Sequence, residues 1–72
     1  MNTYIVAFAD IAEEECWVKK FTATGFKECV SKIAQYINDE YDVEISDNYH
    51  EMINDLKDND LIISTITDLD EL

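Results

Sequence analysis

TYIVAFA, residues 3–9, is apolar on both of its alternating faces, with Tyr4, Val6 and Phe8 on one side and Ile5, Ala7 and Ala9 on the other. A strand with two apolar faces belongs in the middle of a sheet rather than at its rim. Working outward, residues 10–15 form a polar connector. Residues 16–22, CWVKKFT, then form a second strand with mixed faces, Trp17, Lys19 and Phe21 against Cys16, Val18 and Lys20. Its lysines suit an edge strand, where charge discourages pairing with other chains. The two strands are expected to make a hairpin across a loop of about six residues.

Thr24 is placed to N-cap a helix running from about residue 25 to residue 41. Phe26, Val30, Ile33 and Ile37 recur in it at helical spacing, flanked by Cys29, Ala34, Tyr36 and Tyr41. Residues 42–46 connect it to a second helix, with Val43 and Ile45 expected to point inward. Asp47 or Asn48 caps that helix, and Glu51, three residues after Asn48, completes a capping-box pattern. Tyr49, Met52, Ile53 and Leu56 are its apolar stripe, and Lys57 and Asn59 sit where it should end. Residues 61–67, LIISTIT, are β-branched and read as a third strand. Residues 68–72 form an acidic end expected to fray. The order β-β-α-α-β predicts a single α+β domain over residues 1–72. Its three-stranded antiparallel sheet has strand order 2-1-3, with two helices packed on one face.

At 72 residues the core is necessarily modest, yet 47% hydrophobic residues is too apolar for a disordered acidic tail. No apolar run approaches the ~20 residues that span a bilayer. The start, MNTYIVAFAD, lacks the basic residues and cleavage site of a signal peptide. The expectation is a cytoplasmic chain with its two cysteines reduced and serving as small core residues.

The charge is unevenly spread. Residues 1–38 carry five acids and four lysines, net −1, whereas residues 39–72 carry twelve acids and Lys57, net −11. With no arginine and one histidine, direct binding to DNA, RNA or an anionic membrane is disfavoured, because such ligands need cations to replace counterions. The fitting partners are basic surfaces. Within residues 39–60, Asp47, Glu51, Asp55 and Asp58 line one stripe of the second helix, preceded by Asp39, Glu40, Asp42 and Glu44. A ~20 Å length of duplex presents about twelve charges. The acidic half comes close to that density. Its carboxylates therefore stand as candidate substitutes for phosphates, addressed to the basic channel of a nucleic-acid-handling protein. The competing explanation is a solvated face that serves solubility alone.

Other chemistries find little support. Glu40, Asp42, Glu44 and Glu51 fall at positions 1, 3, 5 and 12 of a calcium-loop frame, but Ile45 stands where the turn demands glycine. An ordinary helix connector is the expectation, and no metal or other cofactor is implied. Cys16, Cys29 and His50 lack the paired spacing of a zinc site, and a Cys29–His50 pair lacks an orienting partner. No catalytic residue is expected, and a lone glycine, Gly25, makes no phosphate loop. Trp17, Lys19 and Phe21 on the edge strand are a second candidate contact patch, one that leaves homodimerisation open and would suit a small adaptor protein.

A small, acidic, arginine-free chain with its carboxylates massed over residues 39–60 resembles the phage-encoded inhibitors of host defence, the anti-CRISPR and anti-restriction proteins. The resemblance lies in size and charge, not in a motif. It implies a non-enzymatic inhibitor, acting in the host cytoplasm, that occupies a nucleic-acid channel.

Overall fold

A computed structural model describes residues 1–71. Strand β1 (Asn2–Asp10) lies at the centre of an antiparallel sheet, flanked on one side by β2 (Glu15–Ala23) and on the other by β3 (Leu61–Ile63) and β4 (Thr67–Asp68). The order β2-β1-β3 is the one that the doubly apolar first strand demands. Helices α1 (Phe26–Tyr41) and α2 (Tyr49–Asp58) pack on one face of the sheet. A short 3₁₀ turn, Leu69–Glu71, follows β4.

The hairpin is tighter than expected. Asp10 pairs with Glu15, leaving a four-residue loop, 11–14, that closes with Glu14 at φ 55°. Asp10 Oδ1 accepts the Glu13 N–H at 3.2 Å, and Ile11 N–H donates to Asp60 O at 2.9 Å. This last bond ties the hairpin tip to the segment leaving α2.

The third strand is broken where a continuous one was expected. Ile63 pairs with Phe8 and Thr67 with Ile5, so three residues of the outer strand oppose two of β1. That extra residue is a bulge. Its cause is Ser64, whose N–H donates to Ala7 O and whose hydroxyl accepts the Ala7 N–H, each at 2.9 Å. A side chain has taken over one rung of the ladder. Two aspartates of the chain end bond the start of β1. Asn2 Nδ2 donates to Asp68 Oδ2 at 3.0 Å, and Thr3 N–H donates to Asp70 Oδ2 at 2.9 Å. Leu72 lies outside the described residues.

The core is built from Tyr4, Val6 and Phe8 of β1, the inner face of α1 (Cys29, Val30, Ile33, Ala34, Ile37), Met52 and Leu56 of α2, and Leu61. Phe26, expected in the α1 stripe, is instead half exposed at the helix start, edge-on to Tyr49 at 5.3 Å. The cap of α1 differs by one residue from expectation, whereas α2 is capped by Asn48 as expected. Gly25, extended and without a side-chain cap, precedes α1. Thr24 lies one step earlier, its hydroxyl donating to Glu28 Oε2 at 2.9 Å and its N–H to Glu28 Oε1 at 3.3 Å. These bonds, more than nearby Lys32, hold the Glu28 carboxyl below its ordinary range.

Candidate functional site

The connector between the helices positions most of the candidate acids. Asp42 ends α1 in the left-handed region, at φ 53° and ψ 45°. Val43 packs on the core, Ile45 is buried in it, and the Ile45 N–H donates to Asn38 Oδ1 at 2.7 Å. Ser46 then acts as a relay. Its N–H donates to Asp55 Oδ2 at 2.9 Å, its hydroxyl to Glu51 Oε2 at 2.9 Å, and its oxygen accepts the Asn48 N–H at 3.1 Å. Asn48 is the N-cap of α2, its Oδ1 accepting the Glu51 N–H at 3.2 Å. The expected capping box is thus opened by one residue: Glu51 reaches Asn48 through Ser46.

These bonds divide the eight candidate carboxylates. Glu51 and Asp55 hold the connector, and Asp39 takes the Gln35 amide at 2.9 Å. Glu44, Asp47 and Asp55 converge on a groove of about 680 Å³, with Gln35 and Asn38 of α1 on its far wall. Asp55 is half-buried and the other seven are exposed. Among the described residues the one ion pair is Lys32–Glu28 at 3.6 Å, so none of the eight is neutralised by a cation. The calcium-like frame is pulled apart by the same contacts. Glu51 turns to Ser46, while Glu40 faces a different groove. Among the described residues no cluster of three or more His, Cys, Asp or Glu side chains is arranged to hold a metal ion.

That second groove, about 700 Å³, is a feature the sequence did not disclose. Asp10, Glu13, Glu15 and Glu40 rim a wall formed by Trp17, Tyr36 and Tyr41. The acidic surface therefore continues from the end of α1 onto the hairpin loop, and the division of charge at residue 38 is not a division in space. Asp10 is only 6% exposed. Burial, followed by a hydrogen bond to Asp10, pushes the Tyr41 phenol up to about 12, with the Asp10 and Glu15 charges adding to the effect. The run Glu13-Glu14-Glu15 was the available sequence signal.

The second candidate patch lies on the helix side of the sheet, with Phe21 buried, Trp17 half-buried and Lys19 exposed. Phe21 is 7% exposed in the core, and Trp17 stacks on Phe8 at 5.4 Å and donates from Nε1 to Tyr36 at 2.9 Å. Lys19 Nζ lies 4.8 Å from the centre of the Tyr36 ring. The cause is register: Phe8 opposite Trp17 and Tyr4 opposite Phe21 put these aromatics on the same side as the β1 core residues. The open side carries Cys16 and Val18, so Cys16 is exposed where a core residue was expected. Cys29 is buried, and burial pushes its thiol up to about 11, the reverse of thiolate activation. His50 is exposed and edge-on to Tyr49 at 5.6 Å.

Among the described residues no helix is long and apolar enough to cross a membrane. No family model matches the chain, and neither a curated protein nor a solved structure matches it.

Proposed function

We propose that this chain is a non-enzymatic inhibitor of the phage anti-defence type, whose carboxylates occupy the basic nucleic-acid channel of a host protein in the cytoplasm. One observation carries the proposal: acids stand where they oppose folding. The non-glycine residues with positive φ among those described are Glu14, Asp42 and Asp60, all acidic, at positions that glycine fills without strain. The last turn of α1 carries Asp39 and Glu40 and no basic residue, and α2 ends on Asp58, beside Lys57. Negative charge at a helix C-terminus opposes the helix dipole. A local rule broken repeatedly in one direction is expected where function outweighs stability.

Binding of this kind is steered by charge and therefore sensitive to salt, with screening lengths of ~8 Å at physiological ionic strength. The test is capture of partners from a bacterial host lysate, followed by competition. A captured nucleic-acid-binding protein should be released by salt and by duplex DNA. Capture should also be lost when Glu40, Glu44 and Asp58, which hold no part of the fold by hydrogen bonds, are changed to lysine. Capture indifferent to DNA and to these changes would refute the proposal and leave the acids a solubilising role.

A further inference from the structure

The sheet face turned away from the helices differs in character from the rest of the surface. Register places Thr3, Ile5, Ala7 and Ala9 of β1 on it, beside Cys16, Val18, Lys20 and Thr22 of β2, Ile62 of β3 and Thr67 of β4. None of these is an acid, in a chain of net charge −12, and Lys20 is the one charge among them. Val18 is 61% exposed and Ile62 44% exposed, and they stand on either side of a trough of about 420 Å³ floored by Ala7 and Ala9.

We infer that this face is covered by a second copy of the chain, packed sheet on sheet about a two-fold axis that runs between β1 and β2, parallel to the strands. Three observations select that occupant. The first is shape. Val18 is directly opposite Ala7, and Cys16 directly opposite Ala9. A two-fold along the strand direction keeps each residue at its own height and exchanges β1 with β2. It sets Val18 of each copy over Ala7 of the other, a ridge entering a trough twice, as an isologous interface requires.

The second is charge. Two copies at −12 repel wherever their acids meet, and this face, whose one charged side chain from the strands is Lys20, is where they can approach with the fewest carboxylates between them. The helices and their acids remain on the two outer surfaces. The third is length. The nine residues of β1 and of β2 run ~30 Å, nearly the full 33 Å length of the molecule, so the two strands of each copy overlie their counterparts end to end. Edge-to-edge pairing through β2 is opposed by its adjacent lysines, Lys19 and Lys20.

The dimer is independent of what the acidic face binds. Sedimentation equilibrium of the wild-type chain should give twice the 8.4 kDa protomer mass. Face-to-face sheets lie ~10 Å apart, so the exposed Cys16 thiols should be joined by a short bismaleimide while buried Cys29 stays unmodified. Val18→Asp and Val18→Lys should each give a monomer with an unchanged circular dichroism spectrum, because this side chain is exposed in the protomer. A wild-type monomer up to its solubility limit overturns the inference, whether or not the face then binds vesicles or another protein. So does a dimer that survives both substitutions, or one in which Cys16 cannot be linked.

Discussion

Trp17 Nε1 donates to the Tyr36 hydroxyl at 2.9 Å, joining β2 to α1 inside a cluster that includes Phe8, Phe21 and Tyr41. The bond satisfies an indole N–H that is partly withdrawn from water. Tyr36→Phe leaves that donor without its partner and is expected to destabilise the fold by about 1–3 kcal/mol. In a domain of this size a loss near 1 kcal/mol lowers Tm by roughly 4–8 °C. Adding Trp17→Phe to Tyr36→Phe should cost less than the two single changes summed, because both remove the same bond. Urea titration of the four variants measures this. Strict additivity would mean that the bond contributes nothing.

The relay through Ser46 makes a second prediction. Asn48→Ala removes the side-chain cap of α2 and is expected to lose about 1 kcal/mol. Ser46→Ala breaks the bonds to both Asn48 N–H and Glu51 and frees the connector. Hydrogen exchange should then rise at the amides of Ile45, Asn48 and Glu51 while those of β1 stay protected. Equal protection in wild type and Ser46→Ala would show that the connector is held without the Ser46 hydroxyl, by Ile45 and the Ser46 N–H bond to Asp55.

Much of this architecture was legible in the sequence. The double apolarity of residues 3–9 specified the central strand. Helical spacing specified α1 and α2, and β-branching specified the start of the last strand. Two of the missing parts share a cause: they depend on which side chain meets which backbone. CWVKKFT has two aromatics and a lysine on one face and a cysteine, a valine and a lysine on the other, and pairing with β1 decides that Trp17 and Phe21 turn inward. Nothing local in LIISTIT announces that the Ser64 hydroxyl will replace a ladder rung and force a bulge. The left-handed positions were hidden for the opposite reason. Glycine usually marks them, and here acids occupy them. The acidic stretch itself was plain, but its continuation onto Glu13 and Glu15 needed the hairpin to fold back beside Glu40.

Tyr41 gives a prediction in pH. Its folded value is about 12 against an ordinary value of 10. The folded state therefore holds the phenolic proton more tightly than the unfolded chain does. The stability this contributes is fully present below about pH 10 and is lost as pH rises toward about 12. Spectrophotometric titration of the four tyrosines should show a late phenolate that is absent in Tyr41→Phe. Across the same window the fall in stability should be shallower in that variant. Cys29, raised to about 11, titrates in the same range, so Cys29→Ala serves as the background for both chains. Absence of a late phenolate that Tyr41→Phe removes would contradict the Asp10–Tyr41 contact.

Asp42 and Asp58 separate stability from function. Asp42 caps α1 in a left-handed conformation, where glycine avoids the steric penalty of a Cβ. Asp42→Gly is expected to stabilise the chain by up to about 1 kcal/mol. Asp58, in the last turn of α2, faces the negative end of the helix dipole, and Asp58→Lys is expected to add about 0.3–1 kcal/mol. If the acids are kept for a basic partner, both variants should melt higher and bind that partner more weakly. Asp42→Asn, which tolerates the left-handed conformation and removes only the charge, should show the binding loss with little change in stability. If solubility alone keeps them, the melting temperatures should still rise but partner capture should be untouched. Denaturation and capture measured on the same three variants distinguish the two. A loss of stability beyond about 0.5 kcal/mol in Asp58→Lys would remove the premise that this carboxylate opposes the fold.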